Sequence, residues 1–238
     1  MNCKNCGHDL EGNFCSNCGQ EARVRKINYK YILEEIPNSL LQINHGFLYT
    51  VKELFLRPGH SLREFMQGKR KSHYKPLAFL LITSALYSLI KYLLNTPEVL
   101  DLYFEGESEN FKYLESITVW IRENETYSTL IFLPFFALAS YLAFLKFKYN
   151  YFEHFVLNMY IVGQKLLIQT FFLLVPFENN IIEYLSFIIP IGFSFWTYTQ
   201  FFNHIKFFKK MFRFMLMYLL IGLFFGVTMF VLLLPLLF

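Results

Sequence analysis

Charged residues are scarce in this chain. Only 17% of its 238 residues are charged, while 55% are hydrophobic, with 30 Phe and 16 Tyr. Ordinary soluble domains are about a quarter charged and keep much of their surface polar. The composition therefore excludes a soluble globular domain, a disordered chain and a fibrous repeat, and it indicates an integral membrane protein.

The motifs of common catalytic chemistry are also missing. Asp9 and Asp101 are the only aspartates, so a site built on paired aspartates or aspartate-held magnesium has almost no ligands. The six histidines never occur as His-x3-His, and no P-loop, nucleophile elbow or HExxH pattern is present. The sequence predicts a non-enzymatic protein. It also lacks a secretory signal peptide, so we expect the N-terminus to stay in the cytoplasm.

All four cysteines lie near the N-terminus, as Cys3-x2-Cys6 and Cys15-x2-Cys18, and a glycine follows each pair. Two such turns can present four thiolates in the tetrahedron that structural zinc takes. A disulfide pair is an alternative that a reducing cytoplasm disfavours, and a redox-active CxxC lacks the βαβ pattern expected around it. We predict a zinc ribbon over residues 1–22 with one structural Zn²⁺, which acts as a docking module.

Residues 23–75 are mixed polar and apolar, and their apolar residues recur at spacings of three and four. This pattern predicts cytoplasmic juxtamembrane amphipathic helices, broken near Pro37 and Pro58. Ser61 and Glu64 have the spacing of a capping box, and Gly68 is placed to end that helix. The basic side chains that follow are predicted to bind anionic headgroups or a partner, or simply to set topology: Lys69, Arg70, Lys71 and Lys75.

Several motifs in roughly the first ninety residues resemble an uncharacterised bacterial family, a domain of unknown function. They are the CxxCG…FCxxCGQ ribbon, Arg57-Pro58-Gly59, Gly68-Lys69-Arg70 and Tyr74-Lys75-Pro76. The resemblance implies a cytoplasmic zinc ribbon joined to several membrane helices, and it implies no activity. In overall build, without a shared motif, the chain is also similar to small multi-spanning accessory proteins encoded beside RNA-guided defence nucleases.

Five stretches are long and apolar enough to cross a bilayer, which takes about 20 residues as helix. They are residues 76–94, 127–145, 155–175, 181–202 and 211–238. Basic side chains are concentrated in the predicted inside loops, and acidic side chains are concentrated in the predicted outside segment 95–126. This distribution agrees with the positive-inside rule. A four-span alternative, with the last stretch interfacial, is disfavoured because residues 215–238 carry no charge.

We therefore predict an all-α integral membrane helical bundle with a small N-terminal zinc ribbon. Residues 76–238 form its five-helix transmembrane domain. The predicted location is the bacterial inner membrane, with the N-terminus cytoplasmic and the C-terminus outside.

Polar side chains interrupt the third predicted span. Asn158, Lys165 and Gln169 share one helix face, and Glu153 and His154 lie at its cytoplasmic mouth. Together with polar residues of the first and fourth spans they form a predicted polar seam. Lys91 and Glu183 are placed for an ion pair near the outer surface. The seam is either interhelical hydrogen bonding or an ion pathway or headgroup pocket charged by Lys165.

Two functions follow as expectations. The preferred one is a membrane scaffold or sensor whose ribbon and basic helices engage a cytoplasmic protein partner. The alternative is a channel or membrane-permeabilising accessory, for example in phage defence, that uses the seam around Lys165. Expected partners are anionic headgroups of the bilayer, a cytoplasmic protein and a second copy of the chain. Nucleic acid is not expected, because the net charge of +4 reflects membrane topology.

Overall fold

The computed structural model describes residues 1–39, 46–94, 116–121, 124–175 and 180–233. Most of this part is helical: α1 (Tyr29–Ser39), α2 (Gly46–Leu56), α3 (Pro58–Gln67), α4 (Pro76–Leu94), α5 (Glu125–Ala143), α6 (Tyr151–Leu173), α7 (Asn180–Phe201) and α8 (Phe207–Leu233). A short helical piece covers residues 116–121. The β pairing in the described residues consists of two isolated bridges, Asn2–Asp9 and Phe14–Glu21. The predicted all-α class is confirmed.

The helices before α4 begin and end at recognisable signals. The Asn28 side chain accepts a hydrogen bond from the Tyr31 N–H at 3.0 Å and so starts α1. Pro58 occupies the first turn of α3, where its missing N–H costs nothing. Gly68 ends α3 with φ of 115°, a left-handed conformation that favours glycine. The prediction for Gly68 is confirmed.

The capping box predicted at Ser61 and Glu64 is wrong. Ser61 lies inside α3, which begins at Pro58, and its hydroxyl bonds the His73 ring at 2.7 Å. Glu64 instead forms ion pairs with Arg57 at 2.7 Å and Lys69 at 3.0 Å. Partners five to twelve residues away in the sequence therefore replace the capping bonds that the spacing predicted.

Four helices are long and apolar enough to cross a membrane: Pro76–Leu94, Thr126–Ala143, Tyr151–Leu173 and Phe207–Val231. The predicted count of five spans is not matched in the described part of the chain. α7 does form where the span 181–202 was predicted, but it is not among the four.

The bounds of α6 differ from the prediction because of an unforeseen cap. Asn150 accepts a bond from the Glu153 N–H at 3.0 Å, and Glu153 accepts one from the Asn150 N–H at 2.7 Å. This capping box starts the helix at Tyr151, ahead of residue 155. α8 likewise starts at Phe207, ahead of residue 211. Residues 95–115, most of the predicted acidic outside segment, and residues 234–238 lie outside the described residues.

α6 is the central helix of the bundle. It packs against α4, α5 and α7, and α2 also contacts it. In addition, α8 packs against α5, and α3 packs against α7. Leu157 and Tyr160 of α6 are fully buried in the main core. Stacked aromatic rings close its N-terminal end, where the centroids of Phe144 and Phe202 lie 4.2 Å apart. The bundle thus places the α6 polar residues inside protein.

Candidate metal centre and polar seam

The four N-terminal cysteines form one cluster. Their Sγ atoms all lie within 4.8 Å of one another. The Cys3 and Cys18 sulfurs are 3.6 Å apart, and those of Cys6 and Cys15 are 3.5 Å apart. A disulfide would require about 2.05 Å, so these are free thiols. The predicted grouping of all four cysteines is confirmed.

Two matching turns build this cluster. In the first, the Gly7 N–H donates to the Cys3 carbonyl at 2.8 Å, and in the second the Gly19 N–H donates to the Cys15 carbonyl at 2.8 Å. Both glycines have positive φ, 78° and 71°, which a residue with a side chain rarely adopts. Each turn therefore points its two thiols to the same side of the backbone.

The cluster has the dimensions of a tetrahedral metal site. Sulfur ligands 2.3 Å from a metal ion lie about 3.8 Å apart in a tetrahedron, close to the distances between the paired sulfurs. The N–H of His8 hydrogen-bonds the Cys6 sulfur and lowers the pKa of that thiol to about 6, whereas burial raises the pKa of Cys18 to about 11. The residues present can hold a metal ion with all four ligands supplied by the chain.

The ribbon is bound to the loop between α3 and α4. The Gln20 side-chain oxygen accepts bonds from the Arg70 and Lys71 N–H groups at 3.0 and 3.1 Å. The Asn5 side-chain oxygen accepts from the N–H and the hydroxyl of Ser72 at 3.2 and 3.0 Å. The cysteine cluster is therefore tied to the segment that leads into α4.

The predicted headgroup-binding bases differ in their surroundings. Lys69 pairs with Glu64, and the Arg70 guanidinium lies 4.9 Å from the Tyr31 ring centroid. Lys75 is half-buried, and Lys71 is exposed. Binding of headgroups by these residues stays a prediction.

Two buried hydroxyls, which the sequence analysis did not assign to this loop, hold its other side. Thr50 accepts a bond from the Tyr74 N–H at 2.7 Å, and Ser61 bonds the ring of His73. Burial lowers the pKa of His73 to about 4, so its ring is neutral near pH 7. The loop is thus held between the ribbon on one side and α2 and α3 on the other.

The hairpin formed by α2 and α3 (residues 46–67) docks on the bundle. Gln164 of α6 donates to the Leu54 carbonyl at 2.7 Å, and Gln200 of α7 accepts from the Gly59 N–H at 3.1 Å. A Cβ atom added to Gly59 would lie 2.3 Å from the Phe201 nitrogen, so only glycine allows this approach. No local sequence signal indicated these contacts.

The predicted polar seam contains a hydrogen-bonded cluster near the N-terminal end of α6. Asn158 donates to the Ser140 hydroxyl at 2.9 Å and to the His154 carbonyl at 2.8 Å, and it accepts from Tyr198 at 3.2 Å. The Ser140 hydroxyl also bonds the His154 ring at 3.0 Å. The cluster joins α5, α6 and α7, whereas the seam was predicted between the first, third and fourth spans.

The other predicted seam residues lie apart from this cluster. Lys165 follows Asn158 by seven residues, a rise of roughly 10 Å along the helix, and it is half-buried. Gln169 is buried one turn further on. Glu153 is used in the cap of α6. Lys91 lies in the last turn of α4, but the Glu183 side chain lies outside the described residues, so their ion pair stays a prediction.

Comparison with known proteins finds one partial match. Residues 44–88 match a family described as "Protein of unknown function (DUF3667)". The matched segment covers α2, α3, the basic loop and most of α4, and it includes the Arg57-Pro58-Gly59, Gly68-Lys69-Arg70 and Tyr74-Lys75-Pro76 motifs. The cysteines lie outside it. No curated protein and no solved structure matches the chain.

Proposed function

We propose that this protein is a non-enzymatic scaffold or sensor of the bacterial inner membrane. In this proposal a cytoplasmic zinc ribbon, together with α1 to α3, engages a cytoplasmic protein partner. The observation that carries the proposal is the unbroken series of contacts from the ribbon through the loop 69–75 and the α2–α3 hairpin to α6 and α7.

This series gives a physical route between partner and membrane. Gln20 holds the backbone of the loop 69–75, and Thr50 and Ser61 hold the same loop from the hairpin side. A partner that shifts the ribbon must therefore strain either the loop or the hairpin, because packed elements move as units. The Gly59 contact with α7 leaves no free space to absorb that shift.

Zinc is the proposed metal, because four thiolates in a closed tetrahedral site suit it. Metal analysis of the purified chain should find about one zinc ion per chain. A variant with Cys3→Ser and Cys15→Ser should lose it and should release the ribbon from the loop, while the helical circular dichroism of the bundle remains. A wild-type preparation with much less than one zinc per chain would contradict the metal assignment.

The proposed topology has five spans, with the N-terminus inside and the C-terminus outside. This topology counts α7 as a span in addition to the four apolar helices. Paired reporter fusions at the two termini test it, because five spans put the termini on opposite sides and four put them on the same side. A C-terminal reporter active in the cytoplasm would contradict five spans.

Partner engagement can be tested by photo-crosslinking in membranes. A photoreactive residue at Phe14, which is 65% exposed on the ribbon, should give a discrete adduct with a cytoplasmic protein. The Cys3→Ser/Cys15→Ser variant should abolish it. A photoreactive residue at Leu219 of α8 serves as control and should give none. Identical adducts with and without the metal ligands would count against a ribbon-dependent partner.

The rival function, a channel, predicts ion flux in liposomes. The bonds of Asn158 to three neighbours favour a sealed seam over a water-filled one. We therefore expect no flux above that of protein-free liposomes, and no effect of Lys165→Leu. A flux that Lys165→Leu removes would support the channel and contradict the scaffold.

A further inference from the structure

A cavity of about 500 Å³ lies between the ribbon and the helices beneath it. Phe14, Gln20 and Val24 line its ribbon side, while Tyr31, Phe65 and Arg70 line the opposite wall. Cavities of roughly 300–1,000 Å³ hold small organic ligands. The cavity therefore has the volume of an organic molecule, well beyond that of a single ion.

Arg70 is held in a defined position in this wall. Its guanidinium lies 4.9 Å from the Tyr31 ring centroid and 5.5 Å from that of Phe65. Its Nε atom donates to the Phe65 carbonyl at 3.3 Å. In the described part of the chain no carboxylate pairs with this guanidinium. The terminal N–H groups of Arg70 are thus presented by a fixed side chain without a bound acid.

Further cations surround Arg70. Arg25, Lys71 and Lys75 line the same cavity, together with the acids Glu21, Glu34 and Glu35. Glu34 pairs with Arg25 at 3.5 Å. Glu35 is buried and accepts a bond from the Leu77 N–H at 3.3 Å, and burial raises its pKa to about 7. Below that pH the cavity is predominantly positive.

The shape of the cavity depends on the ribbon. Gln20 binds the backbone of both Arg70 and Lys71, so the ribbon forms one wall and also positions the bases of the other. Phe65, Arg70, Lys71 and Lys75 all fall within the segment matched by the family. The cavity therefore lies where the ribbon meets that segment.

We propose that this cavity binds a phosphate-bearing small molecule. The Arg70 guanidinium and the Lys71 and Lys75 ammonium groups bind the phosphate, and the ring of Tyr31 covers the organic part. A planar guanidinium donates two parallel bonds to phosphate oxygens, and lysine adds point charges. The inference rests on the proposed sensor function and names its ligand class. A lipid headgroup and a soluble phosphomonoester share this chemistry.

The test uses the purified full-length chain in a neutral detergent, with three probes: inorganic phosphate, glycerol 3-phosphate and short-chain phosphatidic acid. Isothermal titration should show saturable binding of at least one organic phosphate, more tightly than inorganic phosphate. Arg70→Gln and Lys71→Gln should each weaken it by at least about tenfold, or 1.4 kcal/mol. The control Lys30→Gln removes an exposed base of α1 that does not line the cavity, and it should bind as the wild type does.

Each outcome decides the proposal. Binding of glycerol 3-phosphate assigns a soluble ligand, and binding of phosphatidic acid alone assigns a headgroup. Equal weakening by Lys30→Gln and Lys71→Gln would overturn the site, because it would show attraction by overall charge only. Absence of saturable binding by a zinc-loaded, folded chain would overturn it too. Phosphate binding is measured without a partner, so the two proposals can fail separately. If the wild-type chain binds an organic phosphate but gives no Phe14 adduct with a cytoplasmic protein, only the proposed function is contradicted.

Discussion

α6 and α8 are both long apolar helices, yet they lie in opposite surroundings. The most apolar 18-residue stretch of α8 has a mean hydropathy of 2.3, and the corresponding stretch of α6 has a mean hydropathy of 1.3. Even so, 72% of this α6 stretch is buried inside the protein, whereas 11% of the α8 stretch is buried. Lipid is as apolar as leucine, so an apolar helix gains little by leaving it, whereas polar side chains need protein partners. The less apolar helix is therefore the central one.

The largest difference between α6 and α8 is expected in the free energy of unfolding when a leucine of each helix is truncated to alanine. Leu166 of α6 is 1% exposed, and Leu219 of α8 is 66% exposed. Leu166→Ala leaves a cavity and should lower the free energy of unfolding by about 2–5 kcal/mol. Leu219→Ala should lower it by less than about 1 kcal/mol, because lipid or detergent fills the space. Steric-trapping measurements in bicelles check both, and equal losses would contradict the central position of α6.

The second prediction concerns the pH dependence of stability near α4, which packs against α6. It rests on Glu35 of α1, whose carboxylate accepts a bond from the Leu77 N–H of α4. Burial raises the pKa of Glu35 from 4.5 to about 7 in the folded chain. The folded state thus holds this proton more tightly than the unfolded state. Stability should fall by roughly 3 kcal/mol as pH rises from 4.5 through about 7. The charged and titratable groups near Glu35 are Tyr31, Arg70, Lys75 and Tyr160.

Glu35→Gln removes the titrating group and keeps the oxygen that accepts from Leu77. Thermal unfolding across this pH interval should therefore be flatter for the variant than for the wild type. A matched change at the exposed Glu34, Glu34→Gln, should leave the slope as it is. Parallel curves for wild type and Glu35→Gln would mean that Glu35 titrates normally.

The polar cluster of α6 should contribute less than the core leucine but more than a polar group of α8 that bonds within its own helix. Asn158→Leu removes the acceptor of the buried Tyr198 hydroxyl and should cost about 1–3 kcal/mol. Among the described residues, the partner of the Thr228 hydroxyl in α8 is the Phe224 carbonyl of its own helix, so Thr228→Val should be near neutral. Steric-trapping measurements of the free energy of unfolding test both variants. Similar losses for Asn158→Leu and Thr228→Val would contradict a larger contribution of the α6 polar cluster.

The smallest effect is expected at the Tyr160 hydroxyl of α6, which donates to the Tyr74 carbonyl at 2.5 Å. Tyr160→Phe should cost about 1 kcal/mol, because one buried acceptor loses its partner. Tyr92→Phe, at an exposed position of α4, provides the control and should change nothing measurable. A neutral Tyr160→Phe would show that the loop before α4 does not depend on α6.

The comparison also shows which predictions could succeed. The Cys-x2-Cys turns and Gly68 act within a few residues of themselves, so their spacing predicted their geometry. Ser61 also had a local pattern, but its hydroxyl went to His73 because α3 had already begun at Pro58. A spacing predicts a local bond only where no distant partner competes for the same group.

The α2–α3 hairpin illustrates the opposite case. Its amphipathic pattern predicted helices with one apolar face, and nothing in the pattern identified what covers that face. In the structure Leu54 and Gly59 contact Gln164 and Gln200, residues more than a hundred positions away. Periodicity describes a face but carries no information about what covers it, so this docking could not be inferred.

The sequence by itself determined the membrane class, the positions of the long helices and the grouping of four cysteines, because hydropathy, helical periodicity and short turns act over neighbouring residues. Only the tertiary structure decided that α6 lies at the centre, that the polar cluster joins α5, α6 and α7, and that the ribbon and the loop 69–75 enclose a basic cavity. Those features depend on shape and hydrogen-bond complementarity between distant segments, which no local pattern records.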